Sequence, residues 1–166
     1  MAEDRFANVF TAEVKMTANG VLTFAELQFG VSLRDRLAIV IDELLFYPSA
    51  TSLSEMTATA DSITMALTVS DQVTDIQNLA DRRVLYTKRL LRFDFGVAAS
   101  GSYIVLPLKE SFFPPMISLP TRIYFGMDTN GLASPADAVL RMHYRTVSIT
   151  QDQQLIEILE SFQLST

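Results

Sequence analysis

Apolar residues recur along this chain with a period of two, which fits a strand and does not fit an amphipathic helix over the same residues. From Val9 to Thr17, Phe10, Ala12, Val14 and Met16 alternate with Thr11, Glu13, Lys15 and Thr17. Ser62 to Val69 repeats the pattern, with Ile63, Met65, Leu67 and Val69 opposite Ser62, Thr64, Ala66 and Thr68. Strands of this kind have one face for a core and one for water. Leu37 to Tyr47 is apolar on both faces apart from Asp42 and Glu43, as a strand covered on both sides would be, and Pro48 ends it.

Turn signals separate these runs. Asn19-Gly20 tolerates the positive φ of a tight hairpin, which predicts Val21 to Phe29 as the returning arm. Between Ser70 and Ala80, Val73, Ile76 and Leu79 recur at helical spacing behind a Ser-Asp start, which predicts a short helix or helical turn. Val84 to Phe95 places Leu91, Phe93 and Phe95 on one face and Lys88, Arg92 and Asp94 on the other. Gly96 to Ser102 reads as a turn and Tyr103 to Leu108 as a short strand. Phe112-Phe113-Pro114-Pro115 cannot continue a central strand, because proline offers no ladder donor. Arg122 to Met127 and Ala138 to Ile149 supply the last two strands, with the turn signal Asp128-Thr129-Asn130-Gly131 between them. Thr150 and Gln153 have capping-box spacing ahead of the stripe Leu155, Ile156, Leu159 and Phe162, so a short amphipathic helix is expected over 150–163. The sum is about eight strands in one domain spanning 1–166, with an N-terminal arm over 1–8. An all-β antiparallel sandwich is expected, wound as a jelly roll.

Composition bounds the function classes. A chain of 166 residues fits one domain, and its lack of cysteine excludes disulfides and thiolate metal sites. A formal charge of −6 argues against a large electrostatic footprint on nucleic acid or an anionic membrane. Met1, Ala2, Glu3 and Asp4 do not open a signal peptide, and no apolar run approaches the roughly 18–20 residues that span a bilayer. A soluble chain, not secreted by a signal peptide and without membrane insertion, is expected. Its positive mean hydropathy, +0.24, fits either a dense core or a surface covered by other subunits.

No arrangement of residues marks a catalytic, cofactor or metal site. The single histidine, His143, shares a strand face with Arg141 and Arg145, beside which its charged form is disfavoured. One histidine cannot build a cupin-type, facial-triad or three-histidine site. Asp128, Asn130 and Gly131 resemble the opening of a calcium loop, but Val139 stands where its closing glutamate belongs. Asp42 and Glu43 are adjacent, so an unbroken strand points them to opposite faces. Arg82, Arg83, Lys88, Arg89 and Arg92, interleaved with Tyr86 and Phe93, form the densest basic region. A solvated or intersubunit face is expected there, with nucleic acid as the competing partner.

With eight strands, a proline-rich late loop and a C-terminal helix, the chain resembles the small single jelly-roll capsid proteins of icosahedral viruses. The resemblance lies in architecture, size and strand pattern over most of the length, and no diagnostic motif carries it. It implies a structural subunit, made in the host cytoplasm and located in the virion, whose partners are copies of itself and a second structural protein. Many RNA-virus coat proteins carry a basic arm, whereas this chain begins with Glu3, Asp4 and a single Arg5. Little or no direct nucleic-acid binding is therefore expected. The rival class is a binding module, such as a phage tail, spike or fibre component or a lectin-like domain. An enzyme ranks last. Either leading class would use Phe112, Phe113, Met116, Leu155, Leu159 and Phe162 as partner contacts, unless these plug the core. Arg82, Arg83, Lys88 and Arg92, with Arg141, His143 and Arg145, are the candidate nucleic-acid or intersubunit face.

Overall fold

The computed structural model describes residues 8–30, 37–92, 109–118 and 122–148. Their elements are β1 (Asn8–Lys15), β2 (Thr23–Leu27), β3 (Leu37–Pro48), α1 (Ala50–Ser54), β4 (Ser62–Thr68), β5 (Val84–Leu91), β6 (Lys109–Ser118), β7 (Ile123–Asn130) and β8 (Asp137–Ser148). The strands form two antiparallel sheets, ordered β1-β8-β3-β6 and β2-β7-β4-β5. β1 pairs with β8, β2 with β7, β3 with β6 and β4 with β5. The chain is thus a ribbon folded back on itself and wrapped so that successive strand pairs fall in alternate sheets. That is the winding of a jelly roll.

The core lies between the sheets. Ile39, Ile41, Leu44 and Phe46 of β3 and Leu140 and Met142 of β8 meet Ile63, Met65 and Leu67 of β4 and Phe125 and Met127 of β7. The Phe46 ring lies 6.0 Å from Phe125 and stacks at 6.0 Å on Tyr86. In β1, Phe10, Ala12 and Val14 turn inward as the alternation predicts. In β3 the inward residues change parity, from Ile39 and Ile41 to Leu44 and Phe46. A β-bulge makes the change: β3 passes from Ile41 to Glu43 while β8 passes only from Tyr144 to His143.

Asn19-Gly20 does not close a hairpin, since β1 and β2 belong to different sheets. Gly20 does take a positive φ, 63°. Asn19 Nδ2, however, donates to the carbonyls of Leu132 (3.1 Å) and Ala133 (2.6 Å), so the turn carries the chain across the sandwich. The segment 70–80 forms successive turns and no helix. Ser70 Oγ, Asp75 Oδ1, Asn78 Oδ1 and Asp81 Oδ1 each accept the backbone N–H two residues ahead, at 2.8–3.1 Å. Such local bonds outcompete the helical ladder. Val73 and Ile76 are nevertheless buried. They pack on the outer face of the second sheet against Ala66, Val84, Leu22 and Phe24.

β4 is therefore buried on both faces, including the threonines that its alternation assigned to water. Small residues make the seat: Gly126 lies beside both Ala66 and Phe24 in the ladder, and a Cβ on it would come within 2.8 Å of the Phe24 ring. Helix α1 was not foreseen. It follows Pro48 with Ser49 as N-cap, whose Oγ accepts from Ser52 N at 3.0 Å.

β6 runs through Phe112-Phe113-Pro114-Pro115 as an edge strand, the place where proline is tolerated. Its pairing with β3 jumps from Ser111 to Met116, so these four residues stand outside the ladder. β7 continues through Asn130, placing Asp128 and Asn130 in a ladder with β4 instead of a turn. The strand expected at 103–108, the arm over 1–7 and the helix expected over 150–163 lie outside the described residues.

Gly131 follows β7 with φ +82°, and a Cβ there would fall 2.1 Å from Asp61 Oδ1. Asp61 is buried, and its Oδ2 accepts from Thr57 N (2.8 Å) and Ala58 N (2.6 Å). Gly131→Ala is expected to cost about 2–4 kcal/mol, from left-handed strain and disturbed buried hydrogen bonds. Gly30→Ala, also at positive φ but with nothing within 4 Å, should lose only the strain, about 1–2 kcal/mol. Urea midpoints of the two variants check the difference.

Candidate interaction faces

The outer face of the first sheet collects the charged residues that alternation assigns to β8. Arg141 lies between Thr11 and Leu45, His143 between Val9 and Glu43, and Arg145 beside Val40. The bulge in β3 corrects the expectation for Asp42 and Glu43. One extra residue resets the alternation there, so both carboxylates reach this outer face. Asp42 Oδ1 lies 3.3 Å from Arg145 Nε. Glu43 Oε2 lies 2.6 Å from Lys109 Nζ, and its Oε1 lies 3.9 Å from His143 Nε2. The hydrogen bond from Lys109 holds the Glu43 carboxyl below its ordinary range, and the charges of Lys109 and His143 act in the same direction.

Ser111 Oγ is 3.5 Å from Glu43 Oε2. The carboxylate therefore sits between hydroxyl and imidazole, which is not the nucleophile–base–carboxylate order of a hydrolytic triad. The stripe Arg141, His143, Arg145 is part of a mixed-sign ladder and not a bare cationic track.

The second basic region is not one face. Arg82 is exposed in the turn before β5. Arg83 clasps Asp81 through Nη2 to Oδ2 (2.7 Å) and Nε to Oδ1 (3.0 Å), which lowers the Asp81 pKa and raises that of Arg83. Arg92 Nη1 donates to the Met56 carbonyl. Lys88 reverses its expected side. The inner stripe of β5 is Tyr86, Lys88 and Leu90, opposite Leu67, Met65 and Ile63 of β4, and Leu91 points outward.

Lys88 is tolerated there because β5 and β6 are edge strands of facing sheets, and its ammonium meets Glu110 across the gap. Glu110 also accepts from the Tyr86 hydroxyl, and the Lys88 bond is the chief cause holding its carboxyl low. Burial, aided by Glu110, pushes the Tyr86 phenol well above its ordinary value. Phe112 meets Tyr86 edge-on at 5.4 Å.

Of the apolar contacts expected from sequence, Phe112 and Met116 pack against the core, and Phe113 is fully exposed. Leu155, Leu159 and Phe162 lie outside the described residues. Among the described residues six large hydrophobics are exposed: Val9, Val21, Tyr47, Leu79, Phe113 and Ile117. By register Val9, Tyr47 and Ile117 lie on the outer face of the first sheet. Sequence reasoning missed these three; their parity opposite Phe10, Phe46 and Met116 was the available signal. Among the described residues no cluster of His, Asp and Glu could hold a metal ion, and no helix is long and apolar enough to cross a membrane.

The Lys88–Glu110 pair has a pH signature. A carboxyl lowered in the fold contributes stability that is present above its unfolded pKa and lost as pH falls through its folded one. The thermal midpoint is expected to drop as pH falls below about 4.3, and Glu110→Gln should flatten that slope. At pH 7 the same variant leaves Lys88 without its carboxylate and should cost about 1–3 kcal/mol. Thermal melts from pH 3 to 8 check both; parallel profiles for the two proteins would remove the pair from the linkage.

No protein-family model matches this chain, and no curated protein matches its sequence.

Proposed function

We propose that this chain is a structural subunit that works by self-association, and specifically a coat subunit of a viral shell built on a single jelly roll. The observation that carries the proposal is the unequal treatment of the two sheets. The second sheet covers its outer face with Val73 and Ile76 of its own chain. The first sheet buries Ala38 and Val40 on its outer face but leaves Val9, Tyr47 and Ile117 exposed there, and Phe113 is fully exposed on its edge strand β6. Exposed apolar residues gathered on one side are what a subunit needs for its neighbours. The winding supports the same reading by resemblance, although a fold alone does not name a function.

In this reading the partners are copies of the chain and a second structural protein, and the place of action is the virion. Direct nucleic-acid contact is small, because Arg145, Arg83 and Lys88 already face carboxylates of the same chain. The second reading is a tail, spike or lectin-like binding module. Phe113 favours it, as a fully exposed aromatic suited to anchoring a foreign partner.

Negative-stain electron microscopy with light scattering tests the proposal. Closed shells, or trimers, pentamers or hexamers that tile, are expected, and association should strengthen with salt because each copy carries −6. Phe113→Asp should weaken association and leave the thermal midpoint within about 1 °C, since an exposed substitution touches no core contact. A monomer at high concentration in every salt would overturn unaided self-assembly.

A further inference from the structure

We infer that the outer face of the first sheet is where two copies of this chain meet, face to face about a two-fold axis. The inference rests on the self-association reading and names the surface it uses. Its main support is charge. By register and the β3 bulge this face carries Lys15, Lys109, Arg141 and Arg145 against Glu13, Asp42, Glu43 and Asp137. Four cations against four carboxylates give a formal charge of zero, on a chain whose formal total is −6. Copies therefore repel least through this face, because the remaining surface holds the whole negative excess.

Cations and carboxylates also interleave along the face, so that it complements itself. A two-fold axis sets residue i against j and j against i, which lets a basic row of one copy lie on an acidic row of the other. Arg141 is exposed and has no ion pair with a described residue, so it is available to a carboxylate of the second copy.

Geometry agrees. Four strands at ~4.8 Å spacing and eight to twelve residues at ~3.3 Å rise make a face of roughly 500–750 Å². A standard interface buries about 800 Å² per partner. Val9, Tyr47 and Ile117 supply exposed apolar area within it. Edge-to-edge joining is disfavoured at β6, where Pro114 and Pro115 offer no donors and the ladder is already interrupted. The outer face of the second sheet is occupied by its own turns.

The chain contains no cysteine, so a single introduced thiol reports position without background. Thr11→Cys and Val9→Cys lie exposed on the proposed face, and Leu79→Cys lies exposed on the far side of the sandwich. A short bis-maleimide reagent should give covalent dimers of the first two and not of the third. Arg141→Glu should raise the dimer dissociation constant at least about tenfold with an unchanged thermal midpoint. Association that persists with no cross-link at Thr11→Cys or Val9→Cys, and with Arg141→Glu behaving as wild type, overturns this inference and leaves self-association standing. Equal cross-linking through Leu79→Cys overturns the choice of face. A monomer under all conditions overturns both the inference and the reading beneath it.

Discussion

One inserted residue in β3 organises the first sheet. Strand alternation has a period of two, and Ile39 and Ile41 fix the inward parity at one end of β3. Without the bulge at Asp42, Leu44 and Phe46 would turn outward. Each is fully buried, and exposing such a side chain forfeits about 1.5–3 kcal/mol. The bulge keeps both halves of β3 in one core. It also brings two adjacent carboxylates to the same face, where Arg145 and Lys109 receive them. On the other flank, the Phe-Phe-Pro-Pro stretch of β6 falls at the same interruption, so residues unable to extend a ladder stand where there is none to extend.

The second sheet solves a different problem. Ala66 and Gly126 leave its outer face shallow, and Phe24 and Ile76 fill the depression. The positive mean hydropathy of the chain thus has a partial physical account: β4 is buried on both faces and a second small core lies outside the sandwich. That arrangement leaves the first sheet's outer face as the place where exposed apolar residues and balanced charge coincide.

Sequence reasoning succeeded where each strand face had one character. β1 and β8 read correctly because their inward positions from Phe10 to Val14 and from Ala138 to Tyr144 are all apolar and most outward positions are polar. It failed where two signals competed. In β5 the stripe ending in Phe93 and Phe95 is more apolar than Tyr86, Lys88 and Leu90, yet the latter faces the core, because Glu110 of the opposite sheet receives the lysine. In 70–80 a three-residue spacing arose from consecutive turns and mimicked a helix. At Asn19-Gly20 the pair announced a turn but could not say which sheet the next strand joins. The stripe Arg141, His143, Arg145 was legible, whereas its acidic partners were not. Asp42 lies 103 residues from Arg145, and only the bulge brings Glu43 to the same side.

The mixed-sign ladder contributes little to holding the fold together. Ion pairs near the surface are generally worth about 0–1 kcal/mol, since water and salt screen the attraction and ordering long side chains opposes it. Lys109 and Arg145 are partly or largely exposed, so their pairs fall in that class. Complementary charge is far more effective at choosing partners, because a like charge brought against it on a wrong partner costs several kcal/mol. The Lys88–Glu110 pair differs: both side chains are mostly buried, and it joins the two sheets. The Lys88–Glu110 pair thus stands where the fold needs a tie, whereas the weaker pairs of Lys109 and Arg145 lie on the outer face of the first sheet, where their physical effect is selectivity.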